Sequence, residues 1–170
     1  MTTGHLEPYL EPSSDVYRLA VGRLATGVTV VTSRLRAVDH AMTANALASV
    51  SLEPLLVLVC VEREARFHEA IVESGVWGVS ILPATARATA DWLATRGRPL
   101  HGQLERVATH RGVTGVALLD EALSTLECET EEAYPGGDHT IVVGRVRAVE
   151  ISDRAGEALV YYRGRYDTLA

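Results

Sequence analysis

Apolar positions along the 170-residue chain follow two periods, and the switches between them divide it into elements. Residues 1–12 follow neither. They are polar, carry Pro8 and Pro12, and read as a flexible N-terminal arm or as a strap that orders against a partner subunit. Ser13 and Ser14 can then cap a helix, and Asp15 favours its first turn. Val16, Tyr17, Ala20, Val21 and Leu24 share one face until Gly27 interrupts the pattern. Short β-branched runs follow at 28–33 (VTVVTS), 55–61 (LLVLVCV) and 76–82 (VWGVSIL), and these predict strands. The second is apolar on both faces, as suits a central strand covered on each side by other elements or by a second subunit.

Between those strands, residues 66–73 predict a short helix closed by Gly75, and the alanine-rich stretch 85–94, with Trp92 and Leu93, predicts another. Residues 95–116 are rich in Gly, Arg and His with weak periodicity, which marks a long functional loop and a candidate lid. At 123–131, Leu126, Cys128 and Thr130 alternate with Glu127, Glu129 and Glu131, predicting a strand with one wet face. A turn at Pro135, Gly136 and Gly137 leads into the longest strand, 139–151, and two short strands around Gly164 end the chain. The sum is one mainly β domain over 13–170 with a few short helices, as in a closed or split β-barrel.

Composition removes several function classes. Sixteen basic against 22 acidic residues give a formal net charge of -6, with no basic block that would follow a nucleic-acid backbone. No apolar stretch approaches the ~18 residues of a membrane span. The N-terminus lacks the charged and apolar regions of a secretion signal, so a cytoplasmic location is expected. Cys60 and Cys128 stand apart in apolar stretches and read as buried reduced thiols. His5, His40, His68, His101, His110 and His139 are scattered without ligand spacing, so no metal site is expected.

Three segments carry candidate chemistry. MTANALASVSLEP (42–54) is a run of small and hydroxylated residues before the apolar strand. Its backbone can approach a planar ring or an anion while Thr43, Asn45, Ser49 and Ser51 offer hydrogen bonds; the same residues also suit an ordinary loop. In GGDHTIVVGRV (136–146), His139 begins a strand at the mouth of a cleft, beside Asp138; it either meets a nicotinamide or its phosphates or bonds a turn carbonyl. In YYRGRYDTL (161–169), Arg163 and Arg165 alternate with Tyr162 and Tyr166, giving either a phosphate grip or a solvated strand edge. There is no GxSxG, Walker loop, GxGxxG or HExxH, which takes most support from hydrolases and nucleotide motors.

Read in order, ATGVTVVTS, MTANALASVSLEPLLVLVCV, the glycine-closed helix, LECETEEAYPGGDHTIVVGRV and LVYYRGRYDTL resemble the flavin reductase family of the FMN-binding split barrel, over residues 16–169. The resemblance implies a homodimer with FMN or FAD at the subunit interface, reduced by NADH or NADPH, and release of reduced flavin to a separate monooxygenase. It places Thr43, Ala44, Asn45 and Ala46 along the flavin ring and ribityl chain, with Ser49, Val50 and Ser51 adding contacts. It brings the segment containing Cys60, Val61, Glu62, Arg66, Phe67 and His68 to the flavin phosphate, and His139 and Tyr166 to the nicotinamide. In such a site the cofactors carry the chemistry and the protein positions them, so no side chain acts as acid or base.

Two departures from the family pattern shape the expectation. Ala46, Ala65 and Phe67 stand where family members often carry hydroxyls. Each missing hydrogen bond is worth about 1 kcal/mol, or up to about 3 to a charged phosphate, so flavin is expected to exchange as a substrate unless Arg63 or Arg66 compensates. The segment 95–111 has Leu100 and His101 where an aromatic lid contact is expected. Competing readings are a flavin-binding electron carrier and a split-barrel scaffold that has lost reductase activity.

Overall fold

The computed structural model describes residues 11–153 and 156–169; the expected arm over 1–12 falls mostly outside them. It is mainly β with three short helices. In chain order these are α1 (Ser14–Val21), α2 (Arg66–Ser74) and α3 (Arg87–Ala94), the last preceded by a 3-10 turn at Ala84–Ala86. The strands are β1 (Thr26–Gly27), β2 (Thr29–Leu35), β3 (Val38–Ala44), β4 (Leu47–Leu52), β5 (Leu55–Glu62) and β6 (Val76–Ile81). After α3 come β7 (Thr109–Arg111), β8 (Ala117–Leu119), β9 (Ser124–Gly136), β10 (His139–Ile151), β11 (Leu159–Tyr162) and β12 (Arg165–Thr168).

A seven-stranded antiparallel sheet runs in the order β3-β2-β6-β9-β10-β5-β4. A three-stranded sheet, β1-β11-β12, and the β7-β8 hairpin accompany it. The three-stranded sheet is stitched to the larger one through Val28: its N–H donates to the Leu159 carbonyl and its carbonyl accepts from Leu82, both at 3.0 Å. Alternation along β2 explains its position. Val31 points into a core with Val59, Phe67, Ile71 and Trp77, while Val30 points into a second core with Leu82, Leu93, Leu119 and Leu159. Each such buried side chain contributes roughly 1.5–3 kcal/mol, so β2 anchors both sides of its sheet.

The periodicity reading needs correction at several places. β2 is buried on both faces; in β5, Val57, Val59 and Val61 are buried and Leu56, Leu58 and Cys60 on the other face are half-buried, so of the two covers expected for this strand, by other elements or by a second subunit, the single chain supplies only one. The segment 42–54, read as a loop, is mostly strand, split between β3 and β4. Its alanines and serines hid the alternation, because small side chains carry little hydrophobic signal. The turn expected at Pro135–Gly137 comes later: β9 runs through Gly136, and Gly137, at φ +69°, makes the turn with Asp138. Glu127, expected on a wet face, is 4% exposed, and the 95–116 loop contains β7. Gly75 does close α2, in the left-handed region.

Candidate active site

One trough follows the end of β3. One part of it, about 410 Å³, lies between Met42 and Thr43, the β5–α2 connection (Glu62, Ala65, Arg66) and the segment after α3 (Arg96, Arg98, Gln103). Thr43 also borders a recess of about 190 Å³ with Asn45, Ala94, Tyr161 and Tyr166. Asn45 in turn borders a cleft of about 590 Å³ that runs under α1 to Arg163 and Gly164. Such volumes suit a small-molecule cofactor.

The α2 end of the trough is rich in cations and N–H donors. The residue before the helix, Ala65, has no side chain that could cap it; the His68 N–H donates to the Ala65 carbonyl at 2.9 Å, and those of Arg66 and Phe67 remain, with the positive end of the helix dipole, for a ligand. The Arg66 guanidinium donates to the Arg98 carbonyl at 2.5 Å. Arg98 donates to the Ala41 carbonyl and, at 2.9 Å, to that of Thr95, while its Nε is buried without a partner among the described residues. Burial, and then the nearby Arg66 charge, hold the Arg98 pKa below its ordinary value. Arg96 is partly neutralised by Glu62, which it grips at 2.8 and 3.1 Å.

The segment after α3 is fastened down rather than free. Gln103, 5% exposed, accepts from the Ala41 N–H and donates to the Pro99 carbonyl, both at 3.0 Å. Trp92 Nε1 donates to the Gln103 carbonyl at 3.0 Å. Arg96, Gly97, Arg98 and Gln103 of the expected lid segment thus form one wall of the trough.

Of the residues singled out in the sequence, Thr43, Asn45, Glu62, Arg66, Phe67 and Tyr166 line the trough. Thr43 Oγ1 donates to the Ala90 carbonyl at 2.7 Å, and Asn45 Nδ2 to Thr26 Oγ1 at 3.1 Å. Ala44 is buried and Ala46 is exposed beyond the end of β3. Phe67 and Val61 are core side chains, 4% and 0% exposed, so Val61 has only its backbone to present. Ser49 and Val50 are exposed and Ser51 half-buried on the edge strand β4, around a bulge and outside the trough. Cys60 lies on the half-buried face of β5.

His68 Nε2 bonds Thr140 Oγ1 at 2.8 Å and borders a neighbouring cleft. His139 stands opposite Glu62 at the β9–β10 turn, its Nδ1 2.6 Å from Asp138 Oδ1. That bond holds the Asp138 carboxyl below its usual range and fixes the ring. Within one chain, His139 lines neither the trough nor the Tyr166 recess. Tyr166 packs edge-on against Tyr161, centroids 5.6 Å apart, with Arg87 above it, and burial raises its pKa. Arg98 and Gln103 were missed. Arg-Gly-Arg-Pro at 96–99 was a usable signal for the first; nothing local marked the second.

The match with a model of the flavin reductase like domain covers residues 21–170. An NADH-dependent FMN reductase of Streptomyces nodosus subsp. asukaensis is 39% identical over 171 residues, 99% of this chain and 92% of its own length. The reductase component of 4-hydroxyphenylacetate 3-monooxygenase from Thermus thermophilus is 38% identical, over 91% of this chain and 96% of its own. The crystal structure of BorF, the flavin reductase component of a bacterial two-component tryptophan halogenase, superposes with a TM-score of 0.87 at 44% identity, covering 92% of this chain and 98% of BorF. The family match and these relatives make the chain an NAD(P)H:flavin oxidoreductase. The chain belongs to the flavin reductase family, as the order of its motifs implied.

Proposed function

We propose that this protein reduces FMN or FAD with NADH or NADPH and passes the reduced flavin to a separate monooxygenase. The observation that carries the reading is the set of unpaired donors where the β3 trough meets the start of α2. A flavin phosphate fits there: the uncapped first turn, Arg66 and Arg98 supply cation and N–H donors, and replace the hydroxyls missing at Ala65 and Phe67. The bound flavin supplies the redox chemistry, accepting a hydride from the nicotinamide. Thr43 and Asn45 border the ring and ribityl chain along the strand. Tyr166 closes the far wall, and Asp138 orients His139 toward the nicotinamide.

The same reading makes the protein a homodimeric split barrel over residues 13–170, acting in the cytoplasm. Among the described residues no helix is long and apolar enough to cross a membrane. Support for the dimer comes from apolar surface with nothing on it in one chain. α1 has no buried residue, with Tyr17 and Leu19 62% and 75% exposed, and on the β4–β5 hairpin Leu52 is 79% exposed. Patches of that kind mark contact surfaces. A second subunit there would cover Ser49, Val50, Ser51 and the half-buried face of β5, and would bring His139 to a site it does not reach within its own chain.

The test is NADH or NADPH oxidation by the purified protein with and without added FMN or FAD. Consumption that depends on flavin, together with bleaching of the flavin spectrum without a second protein, is expected. Flavin that binds but is not bleached overturns the reading in favour of a carrier; absence of micromolar flavin binding overturns it in favour of a scaffold.

A further inference from the structure

A second cleft, of about 440 Å³, adjoins the trough at its α2 end. The two have His40, Ala65 and Arg66 in common. Beyond that shared wall the second cleft is lined by Leu35, Val38 and Leu100 and by His101, Arg36 and Arg63. We propose that this cleft is a subsite for the adenosine phosphate half of FAD, so that the protein prefers FAD to FMN. The inference rests on the flavin reductase reading.

Connectivity carries the argument. A flavin phosphate at the start of α2 lies at the seam between the clefts, and FAD differs from FMN by an AMP unit joined to that same phosphate. A group attached there continues into the second cleft, where its own phosphate meets Arg66 and Arg63. A purine is planar, with apolar faces and a polar edge, and the lining has that pattern. Leu35, Val38 and Leu100 provide an apolar floor, and the imidazoles of His40 and His101 provide rings against which a base stacks. Burial, with the neighbouring His101, lowers the His40 pKa in spite of Asp39 and Glu69, which keeps that ring neutral and suited to stacking. Glu69 is held by Arg36, 4.0 Å away, and offers acceptors for ribose hydroxyls or the purine amino group. FMN alone would leave all of this to water.

The adenosine phosphate of a nicotinamide cofactor has the same chemistry, so the experiment separates the two sources. Equilibrium dialysis gives the affinities of FAD and FMN for the wild-type protein and for Leu100→Ser/His101→Ala and His101→Ala, each checked by thermal melting. Wild type is expected to bind FAD about tenfold more tightly than FMN, and the double variant to lose most of that gap. Equal affinities in wild type, or a gap that survives in the folded variants, overturn the subsite while leaving a flavin reductase. A KM for NADH that rises about tenfold in the variant with FMN as acceptor, the FAD-to-FMN ratio unchanged, assigns the cleft to the nicotinamide cofactor and overturns the proposal. Absence of binding by either flavin, with no NADH oxidation, overturns the reductase reading and the subsite with it.

Discussion

The β7–β8 hairpin and the start of α2 both bring charged side chains down onto the large sheet, and they differ in what is left unpaired. Under the hairpin, the buried Glu127 carboxylate accepts from the Val113 N–H at 2.9 Å and from the N–H and hydroxyl of Thr114 at 2.7 and 2.6 Å. Arg111 grips Asp39 through two bonds of 2.6 Å. His110 is held between Asp120, at 2.7 Å, and Glu150, at 3.3 Å. Charges there find opposite charges or donors within the chain, although His110 Nε2, beside Glu150, makes no hydrogen bond among the described residues. At the start of α2, Arg66 and Arg98 lie together on backbone carbonyls, one Arg98 nitrogen is buried without a partner, and the helix end has no cap. The hairpin region has its recess too, of about 500 Å³. What distinguishes the site is therefore a pair of cations, Arg66 and Arg98, that rest on carbonyls and have no carboxylate partner among the described residues, a charge that an anionic ligand can balance.

Four substitutions test that contrast. The largest effect is expected at the closed region: Glu127→Ala orphans the loop donors and should lower stability by about 3 kcal/mol in urea unfolding. Flavin affinity should stay within about threefold, since the two regions share no partners. Arg66→Ala should do the reverse, weakening flavin binding about 30-fold, or ~2 kcal/mol, with unfolding changed by less than about 0.5 kcal/mol. If Arg66→Ala unfolds the protein as readily as Glu127→Ala, the distinction between the regions collapses. His139→Ala should slow flavin reduction about tenfold in stopped-flow measurements through loss of nicotinamide positioning. Unchanged kinetics would remove His139 from the site.

The smallest effect concerns pH. Asp120 and then Glu150 raise the His110 pKa above its ordinary 6.5, against the effect of burial. A raised folded-state pKa means that the protonated ring stabilises the fold below 6.5, and that this contribution is lost as pH rises through the raised value. Comparing His110→Asn with wild type, the melting temperature should differ by about 1–2 °C at acidic pH, and the difference should vanish on the alkaline side. A gap that grows with pH contradicts the assignment.

Much of the fold was legible because large apolar residues reported their periods: Val30 and Val31, the 55–61 run, and the helix closed by Gly75 are where the pattern placed them. The failures have a common cause. Small residues hid β3 and β4, and Glu127 read as solvated because alternation shows which face a side chain takes and not which loop will cover it. The same limit applies to the site. Thr43 and Asn45 were visible in local sequence and Arg66 through the family resemblance, whereas Arg98 and Gln103 act through the β3 backbone at Ala41, a contact between segments far apart in the chain. Serines 49 and 51, which the family resemblance placed at the flavin, lie outside the single-chain trough.

The central claim is that the unpaired donors at the start of α2 receive the flavin phosphate. Riboflavin is FMN without that phosphate, so calorimetric titration of wild type and Arg66→Ala with each isolates the group. Wild type should bind FMN at least about tenfold more tightly than riboflavin, and most of the gap should disappear in Arg66→Ala while riboflavin affinity is unchanged. Equal binding of FMN and riboflavin by the wild-type protein would contradict the account.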